Sequence, residues 1–191
     1  MIITETDRLI IRNWHEADRD LAYEINSDEA VMEFFPFRRD RAEADAFFDR
    51  VQSMIAETGL GPYVLELKES GEAIGYCLLM RTDHLEPFVP TGTIEIGWRL
   101  VAGQWGKGLV TEAARALLAH GFGKLGLDHI VSFAVHNNVR STAVMERIGM
   151  HRVENGDFDH PNVPDTHPHL QRHVLYRLTA AEWRSTRTPH A

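Results

Sequence analysis

Cysteine is almost absent from this chain. The single Cys77 excludes an internal disulfide, which suits a reducing compartment, and a cytoplasmic protein is expected. Cys77 lies in the apolar run Ile74 to Met80, where a small core residue is expected rather than a reactive thiol. Long hydrophobic runs are missing too. None approaches the roughly 20 residues that cross a bilayer, so no membrane partner is expected. The stretch from Met1 to Arg12 carries Glu5, Asp7 and Arg8 and lacks a signal-peptide layout. Positive charge is in deficit: 20 Lys and Arg against 28 Asp and Glu give a formal charge of −8. That argues against nucleic acid as a partner and favours a cationic substrate, such as a protonated amine. There are no repeats and no low-complexity linkers. The 191 residues fit one domain with a real core, expected over residues 1–185 with a short tail at 186–191.

Two nucleotide fingerprints are also absent. A Walker A loop needs a Ser or Thr after its Lys, but Lys107 is followed by Gly108. The one G-x-G-x-x-G, from Gly121 to Gly126, follows a helix pattern and precedes the strand pattern Ile130 to Val135. A dinucleotide site needs the reverse order. Gly121 and Gly123 are therefore expected to cap the end of a helix.

What is present is Trp105-Gly106-Lys107-Gly108-Leu109-Val110-Thr111-Glu112-Ala113. Before it, Ile94, Ile96, Trp98 and Leu100 alternate with Glu95, Gly97 and Arg99, the period of a strand. After it, Val110, Ala113, Ala114, Leu117 and Leu118 recur at helical spacing. Two glycines where a strand turns into a helix aim backbone N–H groups and the helix dipole at one point. A phosphate or pyrophosphate fits there.

The remaining pattern alternates strands and helices. Strands are expected at Arg8 to Trp14, Val64 to Leu67, Ile74 to Met80, Thr93 to Val101, Ile130 to Val135, Val153 to Phe158 and His173 to Leu178. Helices are expected at His15 to Asn26, Asp40 to Glu57, Gly108 to Phe122 and Ser141 to Ile148. The turn Glu69-Ser70-Gly71-Glu72 joins a hairpin. This order predicts an α/β sandwich around a mixed sheet, with helices on both faces.

The motifs Ile94-Glu95-Ile96-Gly97-Trp98, Trp105-Gly106-Lys107-Gly108 and Thr111-Glu112-Ala113 resemble the acyl-CoA-binding core of the GNAT superfamily of N-acetyltransferases. Asn138-Val139-Arg140-Ser141 and Glu146-Arg147-Ile148-Gly149-Met150 resemble its second motif. Thr6-Asp7-Arg8-Leu9-Ile10-Ile11-Arg12 resembles the opening strand of the branch that contains ribosomal-protein alanine N-acetyltransferases. The resemblance runs from about Thr6 to Trp183. It implies a single-domain GNAT-like sheet, splayed at the cofactor site to admit a pantetheine arm. It implies acetyl-CoA as the acetyl donor and no metal. The cofactor-binding set it implies is Leu100, Val101, Trp105, Gly106, Lys107, Gly108, Leu109, Val110 and Asn138, with the Asn138 side chain on the pantetheine amide. Trp105 stands where the superfamily usually has Arg or Gln, and Val110 where it has Gly or Ala. The Val110 side chain should therefore turn inward, away from the pyrophosphate.

Acetyl transfer to an amine needs a base for the ammonium proton and an acid for the departing thiolate. Glu95 is the candidate base, because burial raises a carboxyl toward a useful pKa. The competing reading is an ion pair with Arg99 on the same face. Ser141 is the candidate acid. Met145 occupies the position of the Tyr many relatives use and has no proton to give. The competing reading is that Ser141 completes a helix cap with Asn137 or Asn138, and Tyr176 is the reserve acid. His160, His167, His169 and His173 could gather around zinc, but with no Cys near, an ordered substrate-side loop is expected. The acceptor is a small amine or a protein N-terminus, and the protein a monomer or homodimer. The alternative is a non-catalytic acyl-CoA-binding protein on the same fold.

Overall fold

The computed structural model describes residues 1–185. The expected tail at 186–191 lies outside the described residues. A nine-stranded sheet carries the chain in the order β1 (Ile2–Glu5), β2 (Leu9–Arg12), β3 (Gly61–Leu67), β4 (Ala73–Arg81), β5 (Ile94–Leu100), β6 (His129–Val135), β9 (Arg172–Thr179) and β7 (His151–Arg152). The short β8 (Phe158–Asp159) also pairs with β9. Every pairing is antiparallel except that of β5 with β6.

That exception matters most. β5 and β6 pair only through Ile94↔Ile130 and Glu95↔Val131. Beyond Glu95 the two strands part, and the sheet opens where a linear arm can enter.

Helices cover both faces, as the pattern predicts. Helix α1 (Arg19–Ser27) packs on α2 (Arg41–Thr58), and α1 lies on β4. Helix α2 starts with Asp40, whose side chain accepts from Glu43 N, and ends at the left-handed Gly59. Its buried stripe is Ala44, Phe48, Val51 and Ile55. Helix α3 (Leu109–Gly123) lies on the opposite face, against β4 and β5. Its Ala113, Ala114, Leu117 and Leu118 are fully buried. Helices α4 (Val139–Arg147) and α5 (Ala180–Ser185) complete the fold.

Three expectations are corrected. The first strand is β2 alone, not Arg8 to Trp14, and β1 precedes it. Trp14 leaves the ladder because its indole N–H donates to Pro62 O at 2.8 Å. The stretch expected as a strand from Val153 to Phe158 is a turn between two short strands, β7 before it and β8 starting at Phe158. Between them Asn155 adopts φ 55° and Gly156 N bonds Val153 O at 3.1 Å, a turn signal that outweighs the apolar alternation. Gly121 does not cap α3. It lies inside the helix, where a Cβ would meet Ile130 Cδ1 at 2.8 Å, so the glycine permits close packing on β6. Gly123 is the last helical residue, and the left-handed position after the helix is Gly126.

Candidate active site

The loop between β5 and α3 matches the geometry the sequence calls for. Gly106 and Gly108 have φ of 75° and 76°, the left-handed region that L side chains avoid. A Cβ on Gly106 would meet nothing within 4 Å, so this turn faces open space. The first α3 amide to bond back is that of Glu112, onto Gly108 O at 3.1 Å. The amides of Leu109, Val110 and Thr111 are the free donors of a helix start. Trp105 turns its indole N–H back to Leu100 O at 3.0 Å. Lys107 Nζ donates to Gln104 Oε1 at 2.9 Å, which holds the lysine along the loop. Leu109 is buried, and Val110 packs half-buried against the core, turned inward as its size requires. Leu100 is likewise a core residue, and Val101 N closes onto Ile74 O at 3.0 Å.

The sequence reading missed what anchors this loop. Arg8 reaches across from the turn before β2. Its Nη1 donates to Lys107 O at 3.0 Å and its Nε to Glu112 Oε2 at 2.6 Å. Thr6 Oγ1 donates to Glu112 Oε1 at 2.5 Å. Burial would raise the Glu112 pKa, but the hydrogen bonds from Thr6 and Arg8 outweigh it and hold the carboxylate below its ordinary range. The Arg8 and Glu112 motifs were visible, but no local rule pairs residues so far apart in sequence.

Glu95 lies at the last rung before β5 and β6 part. Leu79 on β4 points toward α3, as its approach to Gly121 shows. Leu78 and Met80, with their β5 partners Gly97 and Glu95, therefore face the side of α1 and α2. Burial pushes the Glu95 carboxyl up to about 8. Gly97, next along the same face, has no side chain to crowd it. A Cβ there would sit 3.1 Å from Glu95 Oε1. The expected alternative, an ion pair with Arg99, is not formed. Arg99 Nη1 donates to Asn26 Oδ1 at 2.8 Å, and its guanidinium lies 4.1 Å from the Phe35 ring centroid. Four residues along an extended strand separate the two by roughly 13 Å at the backbone, too far for a direct pair.

The second motif meets the first at Trp105. Arg140, on the first turn of α4, sets its guanidinium 4.5 Å from the Trp105 ring centroid and also pairs with Glu33. The loop that follows β5 and the helix that follows β6 thus touch, at the end of the sheet where it opens. The chain matches the acetyltransferase (GNAT) domain over residues 8–151. It belongs to the GNAT acetyltransferase family. It is 31% identical over 150 residues to an uncharacterized N-acetyltransferase, YnaD, of Bacillus subtilis (strain 168), covering 77% of this chain and 81% of that one. An acetyltransferase (GNAT family) from Bacillus anthracis shares the fold with a TM-score of 0.77 at 24% identity, over 95% of this chain and 99% of that one. The aminoglycoside acetyltransferase AAC(6')-Ib, in complex with paromomycin and acetyl-CoA, shares it with a TM-score of 0.76 at 23% identity, over 96% of this chain and 99% of that one.

In this GNAT chain Asn138 caps α4, and its Oδ1 accepts from Ser141 N at 3.2 Å. The Ser141 backbone thus completes the cap, which leaves its hydroxyl outside that bond. Met145 is buried. Tyr176, the reserve acid, donates its hydroxyl to Glu146 Oε1 at 3.2 Å and points to the α4 side of the sheet, away from Glu95. Cys77 is fully buried and burial pushes its thiol up, as a core residue requires.

The histidines divide. His160 and His173 lie with ring centroids 4.9 Å apart, between Phe133 and Phe158, and His84 lies 6.3 Å from His160. Burial, then the neighbouring His173, pushes His160 down to about 4, and burial lowers His173 as well. His167 and His169 form a separate pair. Among the described residues no group of three or more His, Cys, Asp and Glu is placed to hold a metal ion. Among them, too, no helix is long and apolar enough to cross a membrane.

Proposed function

We propose that this chain moves the acetyl group of acetyl-CoA directly to a primary amine, carried by a small molecule or a protein N-terminus. The observation that carries the reading is Glu95: a carboxyl pushed up to about 8, without an ion-pair partner among the described residues, at the mouth of the opening between β5 and β6. The acetyltransferase family and the bound acetyl-CoA of a structural neighbour support the donor. The residues present suit coenzyme A. Glycines at positive φ and a helix start with free amides offer a cradle for a pyrophosphate. Thr6 to Arg12, with Trp105, support a place beside the ribosomal-protein alanine N-acetyltransferases.

Bound acetyl-CoA would supply the activated acyl group. The amides of Gly106 to Val110 hold its phosphates, and Asn138 accepts or donates to the pantetheine amide. Glu95 takes the ammonium proton and frees the amine lone pair. The Ser141 hydroxyl gives a proton to the departing sulfur and regains one from solvent. Cys77 is out of reach, so no acetylated protein forms on the path.

The test is release of free thiol from acetyl-CoA over a panel of amines, alongside calorimetry of coenzyme A. Amine-dependent thiol release at rates well above acetyl-CoA hydrolysis is expected. Tight coenzyme A binding without release for any amine would favour the non-catalytic alternative.

A further inference from the structure

A second charged feature lies on the Glu95 face, two side chains farther along β5. Arg99 is buried, 9% exposed, and among the described residues it has no carboxylate partner. Its Nη1 reaches Asn26 Oδ1, and its Nε is buried without a hydrogen-bond partner among the described residues. Arg39 donates to the same Asn26 oxygen through its own Nη1 and is also without a carboxylate partner there. Two guanidinium groups therefore share one neutral acceptor. The carboxylate that acts on Arg39, Glu43, already accepts from Asp40 N to cap α2. Burial, then the Arg99 charge, lowers the Arg39 pKa, as expected of two cations that lack a counter-ion.

The Arg39 end of this pair is open to solvent, while Arg99 is buried behind it. Arg39 lines a surface cavity of about 340 Å³ with Arg38, Arg50, Phe37, Ala46 and Glu43. A cavity with three arginines and one carboxylate is unusual on a chain of charge −8. Buried charges are normally paired, and desolvation of an unpaired one is costly. A planar guanidinium pair matches the oxygens of a carboxylate.

We propose that Arg39 and Arg99 form a subsite for a carboxylate of the amine acceptor, which makes the acceptor a zwitterion such as an amino acid or short peptide. This rests on the transferase reading above and adds the acceptor class. The face then has matched ends, with Glu95 for the ammonium group and the arginines for the carboxylate. Gly97 adds no side chain of its own between them, where Leu78 and the Glu95 carboxylate already approach. The Glu95 to Arg99 backbone span of roughly 13 Å, shortened by the Glu95 carboxylate that leans toward Gly97, suits about three extended residues, ~10 Å.

The test compares glycine peptides of one to four residues with their C-terminal amides, by thiol release from acetyl-CoA. At the best length the free carboxylate should give at least a tenfold higher kcat/KM than the amide, mainly through KM. Arg39→Gln should erase that ratio. Because a ratio is read, general loss of activity does not imitate the effect, and the unaltered protein alone decides if the variant does not fold. Equal rates for peptide and amide would overturn the subsite and leave the transferase reading standing. If no acceptor releases thiol, the transferase reading fails instead. Calorimetry of triglycine against its amide on the coenzyme A complex then decides the subsite, which falls if the two bind alike.

Discussion

Glu95 is where one residue's environment decides a rate. A carboxyl raised to about 8 by burial is protonated below that pH and cannot accept a proton. If it is the base, kcat/KM should rise about tenfold per pH unit up to roughly 8 and then level. Glu95→Gln should remove that limb and lower kcat by about 10²–10⁴-fold. The stability sign runs the other way. A carboxyl raised in the folded state gives stability that is complete below its unfolded pKa and is lost as pH climbs through 8. At pH 9 the unaltered protein confines a charge that the glutamine variant lacks, so Glu95→Gln should melt no lower; no ion pair with Arg99 is lost, because Arg99 bonds Asn26 instead. Thermal melts at pH 5 and pH 9 beside the pH–rate curve check both. A variant that melts lower at pH 9 and keeps its acidic limb would remove Glu95 from the mechanism. Ser141→Ala should lower kcat more than it raises KM for acetyl-CoA, and less with a thioester whose thiol is more acidic.

The element that carries the cofactor is the start of α3. A residue at Gly108 must hold φ near 76°, and valine resists that backbone region strongly. Gly108→Val should weaken coenzyme A binding at least tenfold, about 1.4 kcal/mol, while Lys107→Ala costs less because the lysine already leans on Gln104. Calorimetry that finds Gly108→Val as tight as the unaltered protein would move the site. The clamp on the same helix predicts a separate effect. The Glu112 carboxylate is held below its usual range by Thr6 and Arg8, so its contribution is present at neutral pH and lost as pH falls through that lowered pKa. Glu112→Gln should cost about 1 kcal/mol at pH 7, or ~2–4 °C, and far less at a pH where the Glu112 carboxyl is neutral in both the folded and the unfolded state. The helix and its glycine turn were legible because periodicity and glycine placement are local signals. The clamp was not, since it joins Arg8 to Glu112 through folding alone. The Val153 to Phe158 stretch misled because its alternation is real, yet Asn155 and Gly156 turn it. Arg99 was legible as a residue of the Glu95 face but not in its partner, because Asn26 comes from α1.

At the scale of the whole molecule, the sheet has a weak seam. β4 and β5 share seven paired positions, from Gly75↔Leu100 to Arg81↔Ile94, and β6 and β9 share seven, but β5 and β6 share two. The halves on either side are also tied by α3, which touches β4, β5 and β6, by the contacts of Arg140 with Trp105 and Glu33, and by the packing of Leu85 and Val89 with Val131 and Phe158. A ligand lying in the seam replaces the missing ladder and should bind the folded state alone. At a hundredfold excess over its Kd it adds about 2.7 kcal/mol, which for a chain of this size raises the melting midpoint by roughly 5–11 °C. Coenzyme A should produce that shift in the unaltered protein and much less of it in Gly108→Val at equal concentration. Amide exchange should slow most beyond Glu95 in β5 and beyond Val131 in β6, where the strands have parted. Protection confined to α1 and α2, with no change along those strand ends, would mean that coenzyme A does not occupy the seam.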